Sequence, residues 1–232
     1  MTSLTPHAEQ RNGRSSGAAD GRKRIRVVLA DDHPAVRVGM RRLIDDQPDM
    51  LVVLEARGAE EALGERERSE DVVVLDYHLG GSRDGLWITR QLKRRPGPPR
   101  VLIYSAFADS PLAVAALVAG ADGLLSKTSL GDELCHAIRE LFRGRRYLPA
   151  VPEALAQALS MQLPPDDRAS FWMLLADVEP DEIAKRLRLT PRQLDDQRER
   201  MLLALAPAAH ANQSHAPLDY DRARRHARYT VG

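Results

Sequence analysis

Five short apolar runs, each followed by an amphipathic stretch, constrain the fold of this chain more than any other feature of its sequence. The runs occupy residues 25–29, 51–54, 72–75, 101–104 and 123–125. Each is short, and most are rich in β-branched residues, so they read as strands. The stretches between them read as helices. Val36, Met40, Leu43 and Ile44 recur at helical spacing, and Ala59, Ala62 and Leu63 form the apolar side of a more polar helix. Residues 86–92 form a helix stopped by Pro96, Pro98 and Pro99. Pro111 opens an Ala/Val/Leu helix that Gly120 closes, and Leu134, Ile138, Leu141 and Phe142 stripe a fifth. Strands that alternate with helices in this way build a parallel sheet covered on both faces. The expected fold class is therefore α/β: a five-stranded, doubly wound parallel domain, with a small all-α domain after it.

Such sheets bind ligands outside the carboxyl ends of their strands. The residues at those ends are Asp31, Asp32, Asp76, Ser105 and Lys127. Three carboxylates converging in one cleft call for a cation. Mg2+ suits them, because it favours oxygen ligands and phosphate-bearing substrates. A carboxylate held there can attack a phosphoryl donor, with positioning and charge neutralisation doing most of the rest. Lys127 would face the transferred group with positive charge, and Ser105 would donate a hydrogen bond to it. One acidic residue after one strand usually caps a helix or faces solvent; the weight comes from five suitable residues at successive strand ends. His33 reads as a local structural residue at the start of the first helix. Cys135, the only cysteine, reads as a passive core residue and leaves no intrachain disulfide to form, which fits a reducing cytoplasm.

These residues sit in a pattern that resembles the response-regulator receiver family. The likeness is carried by the acidic pair in Leu-Ala-Asp-Asp-His-Pro at 29–34, by Asp76 after Val-Leu, by Ser105 in Tyr-Ser-Ala, and by Lys127 in Leu-Ser-Lys. The intervals of 44, 29 and 51 residues from Asp32, Ser105 and Lys127 to Asp76 agree as well. The resemblance covers about residues 25–145. It implies that Asp76 is the phosphoryl acceptor, assisted by Ser105 and Lys127. It also implies that Asp31, Asp32, Asp76 and the backbone carbonyl of His78 hold Mg2+. Departures are visible. Gly80 stands where the family usually has proline, and the loop to Asp84 and Gly85 is about one residue longer. The switch aromatic three residues before the lysine is Leu124, and Thr128 replaces a common proline. Tyr104 is expected to pack in the core. A phosphatase with an aspartyl nucleophile would want a second aspartate where His78 stands.

The remainder divides into a tail at 1–24 expected to be disordered, a linker at 146–165, a helical module at 166–207 and an arginine-bearing flexible tail at 208–232. In the module, residues 181–187 form a short amphipathic helix. Thr190-Pro-Arg-Gln193 matches a capping box with proline at the first helical position. Leu194, Met201, Leu202 and Leu205 make the buried stripe of the last helix, and Phe171, Trp172, Leu174 and Leu175 come from a preceding one. Two helices joined by a tight turn suggest helix-turn-helix. With the lead-in at 143–149, this resembles the LuxR-type output domain of NarL/FixJ regulators. Here the groove-facing positions carry Asp195, Asp196 and Glu199, and Arg198 takes a normally apolar place. Residues 166–206 contain nine acidic and seven basic side chains, the wrong sign for a phosphate-binding surface. Arg222, Arg224, Arg225 and Arg228 in the tail offer a counterweight.

Two functions follow as expectations. The first is a non-enzymatic two-component transcription regulator, phosphorylated on Asp76 by a histidine kinase or phosphotransfer protein and acting at DNA, with a homodimer as a possible active form. The second is a signalling adaptor whose acidic helix-turn-helix binds a basic protein instead of DNA. No apolar run approaches the roughly 20 residues a membrane span needs, so a cytoplasmic protein without membrane contact is expected.

Overall fold

The computed structural model describes residues 24–64, 70–80, 83–129 and 131–210. Five parallel strands, β1 (Ile25–Ala30), β2 (Met50–Ala56), β3 (Val72–Asp76), β4 (Arg100–Ser105) and β5 (Gly123–Ser126), form one sheet in the order β2-β1-β3-β4-β5. The intervening helices are α1 (Pro34–Asp45), α2 (Ala59–Leu63), α3 (Gly85–Lys93), α4 (Ser110–Ala119) and α5 (Gly131–Phe142). Successive strand residues point to opposite faces. Val27 and Leu29 pack with Met40, Ile44 and Ile138 under α1 and α5. Val28 and Ala30 pack with Ala62, Ile88 and Leu92 under α2 and α3. The doubly wound fold is therefore as the sequence implies. Two residues of the apolar stripes turn outward instead: Leu43 of α1 and Phe142 of α5 are exposed. Leu43 nonetheless covers Gly131 at the start of α5, where a side chain would meet it at 2.6 Å.

Helix ends follow local rules. Asp84 and Asp109 cap α3 and α4 by accepting from the backbone N–H of Trp87 and Leu112, both at 2.9 Å. Gly120 ends α4 in the left-handed conformation at φ 97°, a position that favours glycine.

The expected linker at 146–165 contains a helix, α6 (Glu153–Gln162), whose Leu159 joins the core of the second module with α7 (Arg168–Leu175), α8 (Pro180–Leu187) and α9 (Pro191–His210). Leu159, Phe171, Leu174, Ile183, Leu194, Met201 and Leu205 close its core, with Leu202 partly buried beside them. Arg188 stops α8 at φ 56°. The capping box is formed in both directions: Gln193 N–H donates to Thr190 Oγ1 at 3.2 Å, and Thr190 N–H donates to Gln193 Oε1 at 2.7 Å. These elements make the helix-turn-helix, and α9 runs on past residue 207. The tail arginines, like residues 1–23, lie outside the described residues.

One helix belongs to both modules. Residues 112–119 of α4 are all buried, and the helix carries no charged side chain. Leu112, Ala113 and Ala116 face the sheet, while Val114, Leu117 and Val118 join the core of the second module. A helix that is apolar all round is a helix buried all round. The chain between the modules is also anchored. Tyr147 bridges Gly123 beside β5, its N–H donates to the Asp122 carbonyl at 2.9 Å, and its carbonyl accepts from Leu124 N–H at 2.8 Å.

Candidate functional site

The strand order reverses between β1 and β3, so the carboxyl ends of these neighbours open a crevice at the switch point. Asp31 leaves β1 into that crevice and Asp76 ends β3 in it. Both are buried, as is Ser105 at the end of β4. Lys127, just past β5, reaches across to both acids, with Nζ 2.7 Å from Asp31 Oδ2 and 2.8 Å from Asp76 Oδ2. Asp32 is half-buried at the rim. The five side chains that the sequence marks thus stand at one end of the sheet. The backbone is arranged to hold them. His78 N–H donates to Asp76 Oδ1 at 3.2 Å, and His33 N–H donates to Asp31 Oδ1 at 2.8 Å. Phe107 N–H donates to Ser105 Oγ at 3.2 Å. Gly85 presses on the carbonyl of Asp76, where an added Cβ would lie 2.8 Å away, so the start of α3 butts directly against the end of β3.

Charge sets the chemistry of this crevice. Burial pushes the Asp76 carboxyl up to about 6; Lys127 opposes that rise and Asp31 adds to it. Burial works against the Lys127 ammonium, but Asp76 and Asp31 outweigh it and its pKa is raised overall. Asp31, Asp32, His33 and Asp76 offer ligand atoms within 4.8 Å of one another. Three carboxylates face one lysine, which leaves an excess of negative charge, and their oxygens are the hard donors Mg2+ prefers. The donor set therefore fits a divalent cation. His33 stands at the N-terminal end of α1, where its side chain makes no cap bond, and its Nδ1 lies 2.7 Å from Asp32 Oδ1.

The departures from the family pattern acquire physical content. Gly80 has φ 69°, and a Cβ there would lie 3.2 Å from Asp32 Oδ2. Proline, fixed near −65°, cannot occupy this conformation. Leu124 is buried and shares a cavity of about 410 Å³ with Tyr147. The aromatic of this region comes from the connecting segment, not from β5, and its hydroxyl donates to Glu133 at 3.1 Å. Tyr104 packs in the core as expected.

Sequence reasoning missed three arginines, Arg37, Arg90 and Arg94, and saw Arg198 without its partner. Arg37 is buried on α1 and donates from Nη1 to the Asp31 carbonyl at 2.7 Å. Arg90 on α3 and Arg94, the residue that ends it, meet the acids of α9: Arg90 Nη2 lies 2.7 Å from Asp195 Oδ1, and Arg94 Nη2 lies 2.6 Å from Asp195 Oδ2 and 3.4 Å from Glu199 Oε2. Asp196 is exposed. Arg198 donates from Nε to the Val118 carbonyl at 2.7 Å; burial first, then Arg90, lowers its pKa to about 10. The only available hint in the sequence was the one-turn spacing of Arg90 and Arg94, which places them on one helix face.

Comparison with known proteins bears on the whole arrangement. Residues 27–139 match the model of the response regulator receiver domain. The response regulator UvrY of Escherichia coli is 33% identical over 194 residues, which span 78% of this chain and 88% of UvrY. A crystal structure of a LuxR-family two-component response regulator from Aurantimonas is 40% identical, with a TM-score of 0.51 over 58% of this chain and 94% of that one. RcsB from Salmonella enterica, solved bound to a promoter, has a TM-score of 0.53 over 82% of this chain and 97% of that chain; at 21% identity this likeness speaks for the fold alone.

Proposed function

Because this chain belongs to the two-component response regulators of the NarL/FixJ type, which couple phosphorylation to transcription, we propose that Asp76 is where the phosphoryl group is received. The observation that carries this reading is the placement of the Asp76 carboxylate at the switch point of the sheet, 2.8 Å from Lys127. In the reaction an Asp76 oxygen attacks the donor phosphorus. The bond from phosphorus to the donor nitrogen or acyl oxygen breaks, and the leaving group departs with the electron pair. Positioning and charge neutralisation supply the acceleration. Lys127 turns toward the charge that develops on the phosphoryl oxygens, and Ser105 donates to one of them. Asp31, Asp32 and Asp76, with the His78 carbonyl, would hold Mg2+, which supplies further neutralisation of phosphate charge when bound.

The donor is a histidine kinase or a phosphotransfer protein, and the chain acts as a signalling protein, not as an enzyme with a substrate of its own. DNA is the target of the output module. The adaptor reading rested on acids that lacked a basic partner, and Arg90 and Arg94 of the same chain answer that need. Among the described residues no helix is long and apolar enough to cross a membrane.

The test is labelling with a small acyl-phosphate donor and Mg2+. Asp76→Asn is expected to abolish labelling, while Asp32→Asn and Lys127→Ala weaken it. Undiminished labelling of Asp76→Asn would overturn the assignment.

A further inference from the structure

We infer that Arg37 is a positioning residue for the cation site: from α1 it fixes the peptide group that joins Asp31 to Asp32, and so holds the two carboxylates ready before a cation arrives. This rests on the reading that these acids hold Mg2+, and adds to it a residue outside the acidic cluster.

The place of Arg37 does not serve its own helix. It is the fourth residue of α1 and only 7% exposed. A cation in the first turn meets the positive end of the helix dipole, and burying a guanidinium is costly unless it is paired and hydrogen-bonded. Its side chain turns back toward the start of the helix, as helical side chains do, and Nη1 donates to the Asp31 carbonyl at 2.7 Å. Behind it, Nε stands 3.7 Å from Glu55 Oε2. Glu55 pairs with Leu29 in the sheet, and Arg41 Nη1 holds its other oxygen at 2.7 Å. Arg37 is thus clamped between the end of β1 and the edge strand β2.

The carbonyl it grips is one half of a planar peptide group whose other half is the Asp32 N–H. Fixing that plane fixes the backbone rotations on either side, and with them the directions in which both acidic side chains leave the chain. The rest of the segment is pinned as well. Asp31 N–H donates to the Ala56 carbonyl at 3.1 Å, His33 N–H donates to Asp31 Oδ1 at 2.8 Å, and Arg37 N–H donates to the His33 carbonyl at 3.2 Å. Ionised carboxylates repel one another, so a looser loop would let the acidic pair swing away from Asp76. Ordering it would then weaken cation binding. As a plain charge, Arg37 would repel a cation; as a positioning residue, it helps one bind. The two roles have opposite signs.

The experiment measures Mn2+ binding to the full chain by electron paramagnetic resonance, with Mg2+ as competitor. Arg37→Met keeps much of the aliphatic stem and removes the donors. Its Mn2+ dissociation constant is expected to rise about tenfold, and Arg37→Lys, which keeps a donor, to recover part of the loss. In acyl-phosphate labelling, the Mg2+ concentration for half-maximal rate should rise in step, while the rate at saturating Mg2+ changes little. Should Arg37→Met fold poorly by circular dichroism, Glu55→Gln withdraws the support behind Arg37 at a partly exposed position, and is expected to weaken Mn2+ binding in the same direction but less. If the unchanged chain takes up no Mn2+, the cation reading itself falls, and the inference with it. If the unchanged chain binds Mn2+ and the folded variant binds it as tightly or more tightly, the inference alone is overturned.

Discussion

At Asp76 two requirements oppose each other. Attack on phosphorus needs an ionised carboxylate, whereas burial in the crevice favours the protonated one and lifts its pKa to about 6. With divalent cations chelated, the Asp76 carboxyl is expected to take up its proton as pH drops through about 6, which an NMR titration of that carboxyl will show. The same shift affects stability. The folded-state pKa lies above the usual 3.8, so the contribution of Asp76 is fully present below about pH 4 and is lost as pH rises through 6. Asp76→Asn should therefore stabilise the cation-free protein at pH 7 by up to about 3 kcal/mol, an advantage that shrinks to nothing below pH 4 in denaturant titrations. At this scale the site was legible in the sequence, because a strand's last residue marks the sheet's binding edge and five such residues had matching chemistry. The partners of Asp195 were not legible. Arg90 and Arg94 lie 105 and 101 residues away, and no local period encodes a contact of that range. Gly80 was seen as an odd residue, but its reason, a positive φ beside Asp32, belongs to the folded loop.

Among the elements, α4 and the start of α9 carry the clearest expectations. Leu117 is buried at the junction of both modules. Leu117→Ala should cost roughly 2–3 kcal/mol, since truncating a buried leucine loses transfer energy and leaves a cavity; thermal denaturation of the full chain will measure it. At α9, Thr190→Ala removes one arm of a formed capping box and should cost about 1 kcal/mol, with loss confined to the second module. The contrast between these two helices shows what sequence can convey. The capping box lies within four consecutive residues and was read directly. The burial of α4 on all sides was written in its composition, uncharged from Ser110 to Ala119, yet what covers its outer face depends on how two modules meet. The same holds for Phe142 and Leu43, apolar residues in the right period that the ends of their helices turn outward.

For the whole molecule, the contact between the two modules combines a salt-sensitive part with an insensitive one. The Arg94–Glu199 pair is exposed on both sides, at 41% and 60%, and such pairs weaken as the Debye length falls. The apolar packing of α4 against α7 and α9 does not depend on ionic strength in that way. Raising salt from about 0.05 to 0.5 M, a range over which the screening length shortens several-fold, should therefore separate the modules only partly, as solution scattering will show. The Asp195→Arg, Glu199→Arg chain should lose most of that salt response. A salt response equal to that of the unchanged chain would place the sensitivity elsewhere.

A helix without a solvent face also has a historical consequence. An input module can be joined to a different output only if the face it leaves uncovered tolerates water. A receiver whose α4 shows apolar side chains outward cannot be recombined so freely. Moved onto another output, it would present Val114, Leu117 and Val118 to water, and any substitution that suited it to independence would loosen its present neighbour. In this chain, what one module exposes is therefore decided by what the other covers.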